Sequence, residues 1–237
     1  MAFTHYTVKK IVHGLGAIKQ APVEVKNLKG SKAFIVTDPG LAKIGVQKPL
    51  EEALTAGGVE WKLYAEAQLE PSMDSIQHCT DEAKAFGADV IIGFGGGSSM
   101  DCAKAVGARA VKPKQTLAQM KGILKVHKKL PLLMAVPTTA GTGSETTLAA
   151  VITDADTRYK YAINDFPLIP RYAVLDPKVT LSLPPFITAT TGMDALTHAV
   201  EAYIGNSTTI DTRRDTLKAV KLIFENIDIA YEHGDNI

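Results

Sequence analysis

At 237 residues the chain is long enough for one large domain or two of ordinary size, and either would bury a sizeable core. Apolar residues make up 46% and charged residues 22%, a balance that argues against long disordered tracts. With a net charge of +1 and no concentrated basic stripe beyond "KVHKK" at 125–129, which reads as a solvated loop, neither nucleic acid nor a membrane is an expected partner. Cys79 and Cys102 form neither a disulfide framework nor a zinc spacing, so both read as packing residues in a reducing cytoplasm. "MAFTHYTVKK" lacks an apolar core of signal-peptide length, and no apolar run reaches the roughly 18 residues of a membrane span.

Short apolar runs rich in β-branched residues alternate with segments of helical period, the pattern of βαβ units and a mostly parallel α/β sheet. "KAFIVTD" (32–38) predicts a strand, followed by a helix over "GVQKPLEEALTAGG". "VEWKLYAE" (59–66) predicts another strand, and a helix follows from about Met73 to Phe86. "ADVIIGFGGGSSMDCAKAVGARA" (88–110) is the clearest unit: a fully apolar strand, a glycine turn and a helix. "LPLLMAVPTTAGTGSE" (130–145) repeats that logic. "LAAVITD" and "YKYAIND", separated by "ADTR", predict a hairpin, and "RYAVLDP" (171–177) one more strand. Past Ser182, the expected domain boundary, the period becomes helical: a Pro-initiated helix, then a second from about Asp211 to Ile227. Domains are therefore expected at 1–182 and 183–237.

"GFGGGSSMD" (93–101) places three glycines between a strand and a helix. Glycines let the backbone approach a ligand, and the free N–H groups of a helix start attract an anion, so the stretch suits either a pyrophosphate cradle or a tight strand-to-helix turn. It is not the G-x-G-x-x-G fingerprint. "PTTAGTGSE" (137–145) adds hydroxyls and glycines after a strand of the same sheet. Ligands of open α/β sheets sit at the carboxyl ends of the strands, so both loops are expected at one crevice and together suggest a dinucleotide. Asp38, at the end of a strand, is either a turn residue before Pro39 or an acceptor for ribose hydroxyls that repels a 2'-phosphate.

"TGMDALTHAVEAY" (191–203) sets Asp194 and His198 four positions apart on one helix, which is either a satisfied polar pair or half of a metal site. Together with "GFGGGSSMDCAKA", "PTTAGTGSE" and "RYAVLDP", in this order, it resembles the iron-containing, or group III, alcohol dehydrogenase family. The resemblance implies a Rossmann-like dinucleotide-binding domain followed by an all-helical metal-binding domain, with hydride transfer between a small primary alcohol or diol and NAD, or less readily NADP. It implies Fe2+, or Zn2+, held first by Asp194 and His198, which would also be the catalytic residues. It assigns Gly95, Gly96, Gly97, Ser98 and Ser99 to the pyrophosphate loop and Thr138, Thr139, Thr142 and Ser144 to cofactor contacts. Lys160 resembles the lysine near the nicotinamide ribose, Asp38 the aspartate that favours NAD, and homodimers or larger homo-oligomers are implied. An alcohol releases hydride readily only once its hydroxyl is deprotonated, and a bound metal lowers that pKa. Oxygen and nitrogen ligands alone do not separate iron from zinc.

The sequence departs from the family pattern in two places. The family completes its site with two histidines on later helices, whereas a single histidine, His233 in the polar "YEHGDNI", follows His198 and reads as a surface residue. His5, His13, His78 and His127 read as structural or exposed, and Glu201 as support or surface charge. The chain is thus expected to stop early in its helical domain, leaving apolar helix faces uncovered. Pro71, beside which many relatives carry an asparagine, is flanked here by Glu70 and Ser72. Alternative readings are a nucleotide-binding module without turnover and the related architecture of glycerol dehydrogenases and dehydroquinate synthases; the joint motifs favour the alcohol dehydrogenase branch.

Overall fold

The computed structural model describes residues 7–154, 157–206 and 208–237, so His5 and part of the expected hairpin connection lie outside the described residues. Two compact units emerge, one of residues up to 137 plus 144–177, the other of 138–143 plus 178–237. The expected boundary at Ser182 differs from this division, which falls after Pro177 and gives the short loop 138–143 to the helical unit.

The first unit opens with β1 (Lys10–His13) and α1 (Ala21–Asn27). β2 (Lys32–Val36) leads through α2 (Pro39–Ile44) and α3 (Lys48–Ala56) to β3 (Glu60–Tyr64). α4 (Met73–Phe86) then leads to β4 (Val90–Gly95), and α5 (Gly97–Val111), α6 (Leu117–Met120) and β5 (Gly122–Ile123) lead to β6 (Leu132–Pro137). β7 (Ala149–Thr153), β8 (Lys160–Asn164) and β9 (Tyr172–Leu175) complete it. The helix expected over 45–58 is α3, and α2 is a further short helix ahead of it; Pro39 and Pro49 each sit in a first turn, where a missing N–H costs nothing and φ is preset. α4 matches its expected span; Ser72 and Ser75 cap its start reciprocally.

Among the described residues, six strands pair in the order β1-β9-β6-β4-β2-β3, all in parallel. Parallel strands covered on both faces read as continuous apolar runs, and β4 is buried at every position. The strand order reverses between β2 and β4, the kind of switch point where the carboxyl ends leave a crevice. Val36 pairs with Gly93 and Gly95 with Pro137, so Asp38 and Gly95 each stand two residues past one rung. A second sheet, β5-β8-β7, contains the expected hairpin as the antiparallel pair β7 and β8.

Phe34, Ile76, Cys79, Ile91, Cys102 and Val106 belong to one core between strands and helices, and both thiols are free and buried there. β1 gave no periodic signal because three of its four positions are exposed at the sheet edge; its place follows from pairing with β9.

In the second unit α7 (Pro185–Ile204) and α8 (Ile210–Glu232) pack against one another. Thr209 caps α8, accepting from Thr212 N at 3.1 Å. Phe186, Met193, Leu217 and Phe224 stay more than half exposed on this pair. Among the described residues no helix is long and apolar enough to cross a membrane.

Phe34 is fully buried, its ring centroid 6.1 Å from Tyr64 and 6.4 Å from Phe86. Phe34→Ala is expected to lower the unfolding free energy by about 3–5 kcal/mol, read from urea denaturation of the intact chain.

Candidate cofactor and metal half-sites

β4 ends at Gly95 with φ +141°, a conformation that side chains disfavour, and a Cβ there would lie 2.7 Å from Ser99 Oγ. The turn lets α5 begin at once. Its N-cap, Gly96, has no side chain to cap with, so the first N–H groups of α5, from Gly97, Ser98 and Ser99, are available to an anion. This cradle fits a pyrophosphate. Asp38 caps α2, its Oδ1 accepting from Leu41 N at 3.0 Å. Thr37 Oγ1, next to it, is buried without a hydrogen-bond partner among the described residues.

Ser98 and Lys160, far apart in sequence, meet through the segment 69–71. Ser98 Oγ donates to the Leu69 carbonyl, and Lys160 Nζ lies 2.7 Å from Glu70 Oε1. Thr153, the register partner of Lys160, donates its N–H to Pro71 O at 3.0 Å. Glu70, the departure noted beside Pro71, is thus the anionic partner of Lys160.

Behind the glycine turn lies a polar cluster that sequence reasoning missed. Lys104, 1% exposed, donates from Nζ to Ser144 Oγ at 2.9 Å, Thr147 Oγ1 at 3.0 Å and Ala149 O at 2.8 Å. Asp101, one turn earlier, accepts from Ser144 Oγ at 2.7 Å and from Val151 N at 3.0 Å, with Oδ1 3.6 Å from Lys104 Nζ. Burial pushes Lys104 down to about 8, outweighing the opposing pull of Asp101 and Glu145. Burial likewise raises the Asp101 carboxyl above its ordinary value, against Lys104 and the bonds from Ser144 and Val151. The sequence signal was a charged pair three residues apart, "MDCAKA", on a helix otherwise lined by small apolar residues.

In the second unit, the loop 138–143 presses on α7: a Cβ on Gly141 would lie 2.5 Å from Thr191 O. Thr138 is 1% exposed, and Thr139 Oγ1 is buried with no hydrogen-bond partner among the described residues. Thr142 sits in the same loop and Ser144 just beyond it, in the first unit. On α7, His198 Nε2 lies 3.8 Å from Asp194 Oδ1, both side chains about half exposed. One oxygen and one nitrogen donor a turn apart suit two positions around a borderline divalent ion. No group of three or more His, Cys, Asp and Glu that could hold a metal occurs among the described residues, and this pair offers two donors.

The remaining histidines lie elsewhere. Exposed Glu201 follows on α7, and exposed His233 is the C-cap of α8. His13 ends β1, His78 on α4 faces Glu82 at 3.4 Å, and exposed His127 follows buried Val126 in "KVHKK", its backbone N–H donating to Asp165.

Residues 8–177 match the family model for iron-containing alcohol dehydrogenase, and 188–237 match that for the C-terminal part of the same family. The sulfoacetaldehyde reductase of Bilophila wadsworthia is 60% identical over all 237 residues, which span 61% of that protein. The NAD-dependent methanol dehydrogenase of Bacillus methanolicus is 35% identical over 226 residues, 95% of this chain and 59% of that protein. Among solved structures, an alcohol dehydrogenase from Oenococcus oeni superposes with a TM-score of 0.94 at 33% identity, over 99% of this chain and 62% of its own. A sulfoacetaldehyde reductase from Bifidobacterium kashiwanohense, solved in complex with NAD+, gives 0.89 at 27% identity, over 100% and 62%. The chain therefore spans about three fifths of the length of these relatives. With both family models matched in order along it, the chain belongs to the iron-containing alcohol dehydrogenase family.

Proposed function

We propose that the chain carries the NAD-binding half and the first two metal ligands of a reductase that converts a small sulfonated aldehyde, sulfoacetaldehyde, to its alcohol. The cofactor half rests on the glycine turn at Gly95, which delivers an uncapped helix start beside Asp38 at the sheet's switch point. The substrate class rests on 60% identity over the full chain to a sulfoacetaldehyde reductase, against 36% for the choline dehydrogenase of Bacillus subtilis.

In this reading NADH and a divalent ion, when bound, supply the hydride and a Lewis acid for the carbonyl oxygen. The N–H groups of Gly97, Ser98 and Ser99 hold the pyrophosphate. Asp38 accepts from the adenosine ribose and repels the 2'-phosphate of NADP. Lys160 stands near the nicotinamide ribose, kept in place by Glu70, and Thr138, Thr139, Thr142 and Ser144 supply hydroxyls along the cofactor. Asp194 and His198 are the chain's contribution to the metal. The balance is one hydride to the carbonyl carbon and one proton to its oxygen, giving alcohol and NAD+. Assembly into a homodimer or larger homo-oligomer is part of the same proposal.

A second reading is a nucleotide-binding module without turnover, in which Asp194 and His198 supply two metal donors and no more. NADH oxidation by the 237-residue chain, supplied with Fe(II) or Zn(II), separates the two. Turnover that is faster with sulfoacetaldehyde than with acetaldehyde supports the reductase. Equal or faster use of acetaldehyde contradicts the substrate class, and NADH binding without turnover supports the module.

Two substitutions probe the cofactor half. Asp38→Asn is expected to reduce the preference for NADH over NADPH by roughly ten-fold, since one charge near a phosphate contributes on the order of 1 kcal/mol at a partly exposed site. Gly95→Ala is expected to weaken NADH binding and to cost about 1–3 kcal/mol of stability, read by titration and by denaturation.

A further inference from the structure

We propose that two adjoining cavities at the stretch 125–129 form one site for an oligophosphate, a short chain of phosphates that is either inorganic or carried by a nucleotide. The site lies wholly in the first unit, at the pole of the sheet opposite the glycine turn, and does not depend on the NAD-binding reading. "KVHKK" reads in the sequence as a solvated loop; in the structure its residues wall both cavities.

The larger cavity, about 720 Å³, is lined by Lys112, Lys114 and Lys128, and its neighbour, about 380 Å³, by Lys128, Lys129 and Arg171. Volumes of this order are those of small-molecule sites. Among the described residues no Asp or Glu lines either cavity, and none of these five cations has an ion pair. Elsewhere in the unit Lys10, Lys32, Lys62 and Lys160 each lie within 3.2 Å of a glutamate. In a chain of net charge +1, five uncompensated cations around joined hollows repel one another, and an anion held between them removes that cost. The dipole of α5 accounts for Lys112, its C-cap, but not for Lys128 and Lys129, which precede β6, or Arg171, which precedes β9.

The loop that carries Lys128 and Lys129 is held in place. Asp165, 2% exposed, accepts from Val126 N at 2.8 Å and His127 N at 2.9 Å, and Leu124 N donates to Asn164 O at 2.8 Å. Leu124 and His127 have φ of +54° and +46°, a left-handed backbone that costs a residue other than glycine and persists where its surroundings impose it. Ammonium groups bind phosphate oxygens as point charges, and a guanidinium binds them in pairs. An oligophosphate packs more charge into a short length than an acidic peptide, whose carboxylates are spaced by whole residues, so it meets these cations within cavities of this size. Phe166, Pro167 and Ile169 line the smaller cavity and give an apolar wall for a nucleotide base. β6 runs from Leu132 to Pro137, so about five steps of roughly 3.3 Å separate this pole from the rung at which Gly95 pairs.

Calorimetric titration of sodium tripolyphosphate into the intact chain, without metal and at low and physiological ionic strength, tests the site. Saturable binding that weakens as salt is added is expected. Lys128→Glu, at an exposed position common to both cavities, is expected to raise the Kd about ten-fold or more. Lys26→Glu, an equal change of charge at an exposed position of α1 outside both cavities, is expected to raise it less than about two-fold. No saturable binding, or equal losses in the two variants, overturns the proposal. So does unchanged affinity in Lys128→Glu, which is the result for phosphate seated on the glycine turn instead. A hexaglutamate peptide that binds as tightly as tripolyphosphate overturns the assignment to phosphate. ATP, titrated into the same three proteins, separates the two sources. Lys128-dependent binding tighter than that of tripolyphosphate supports the site with a nucleotide as its ligand, and equal or weaker Lys128-dependent binding supports it with the inorganic chain.

Discussion

Gly95 holds a φ of +141° between a strand buried at every position and a helix whose first N–H groups have no side-chain cap, and the nucleotide half is arranged around that turn. A side chain at this position would collide with Ser99 and force the chain to travel further before the helix could start. Because the turn is tight, the helix starts just past the rung shared by β2, β4 and β6, at the same end of the sheet as Asp38. The constraint reaches further through α5 itself: the helix that offers its N–H groups at one end grips β7 through Asp101 and Lys104 a turn later. The uncapped helix start and the grip on the segment from Ser144 to Val151 are thus two products of one helix position.

Much of this was legible in the sequence, for physical reasons. β4 and β6 are buried on both faces and therefore read as unbroken apolar runs, and the glycines and serines after β4 mark a backbone approach directly. α4 was legible to its ends because Ser72 caps it and Gly87 stops it. Other parts were hidden. β1 is exposed at three of four positions, so its strand character comes from β9 rather than from its own pattern. The Asp101–Lys104–Ser144 cluster depends on a contact across some 40 residues that no local period encodes. The pairing of Glu70 with Lys160 was equally invisible, although Glu70 had already stood out as a departure beside Pro71.

The helical unit carries a different lesson. Asp194 and His198 are one turn apart on α7, as their spacing required, yet at 3.8 Å and about half exposed they form a weak surface pair rather than a satisfied buried one. Uncovered apolar side chains on α7 and α8, among them Phe186 and Phe224, agree with helices whose packing surface is incompletely used. The two units therefore differ in character: the first is locked around α5 by buried hydrogen bonds, while Asp194 and His198 stand half exposed on α7 of the second.

The central claim is the proposed seating of NADH on the glycine turn and Asp38 of the first unit, which needs no metal. Calorimetric titration of NADH into the 237-residue chain, with chelator present and then with Fe(II) or Zn(II) added, tests it directly. One NADH per chain, with the same affinity in the presence of chelator and of metal, is the result the account predicts. Binding that appears only when metal is added, or no binding under either condition, would contradict it.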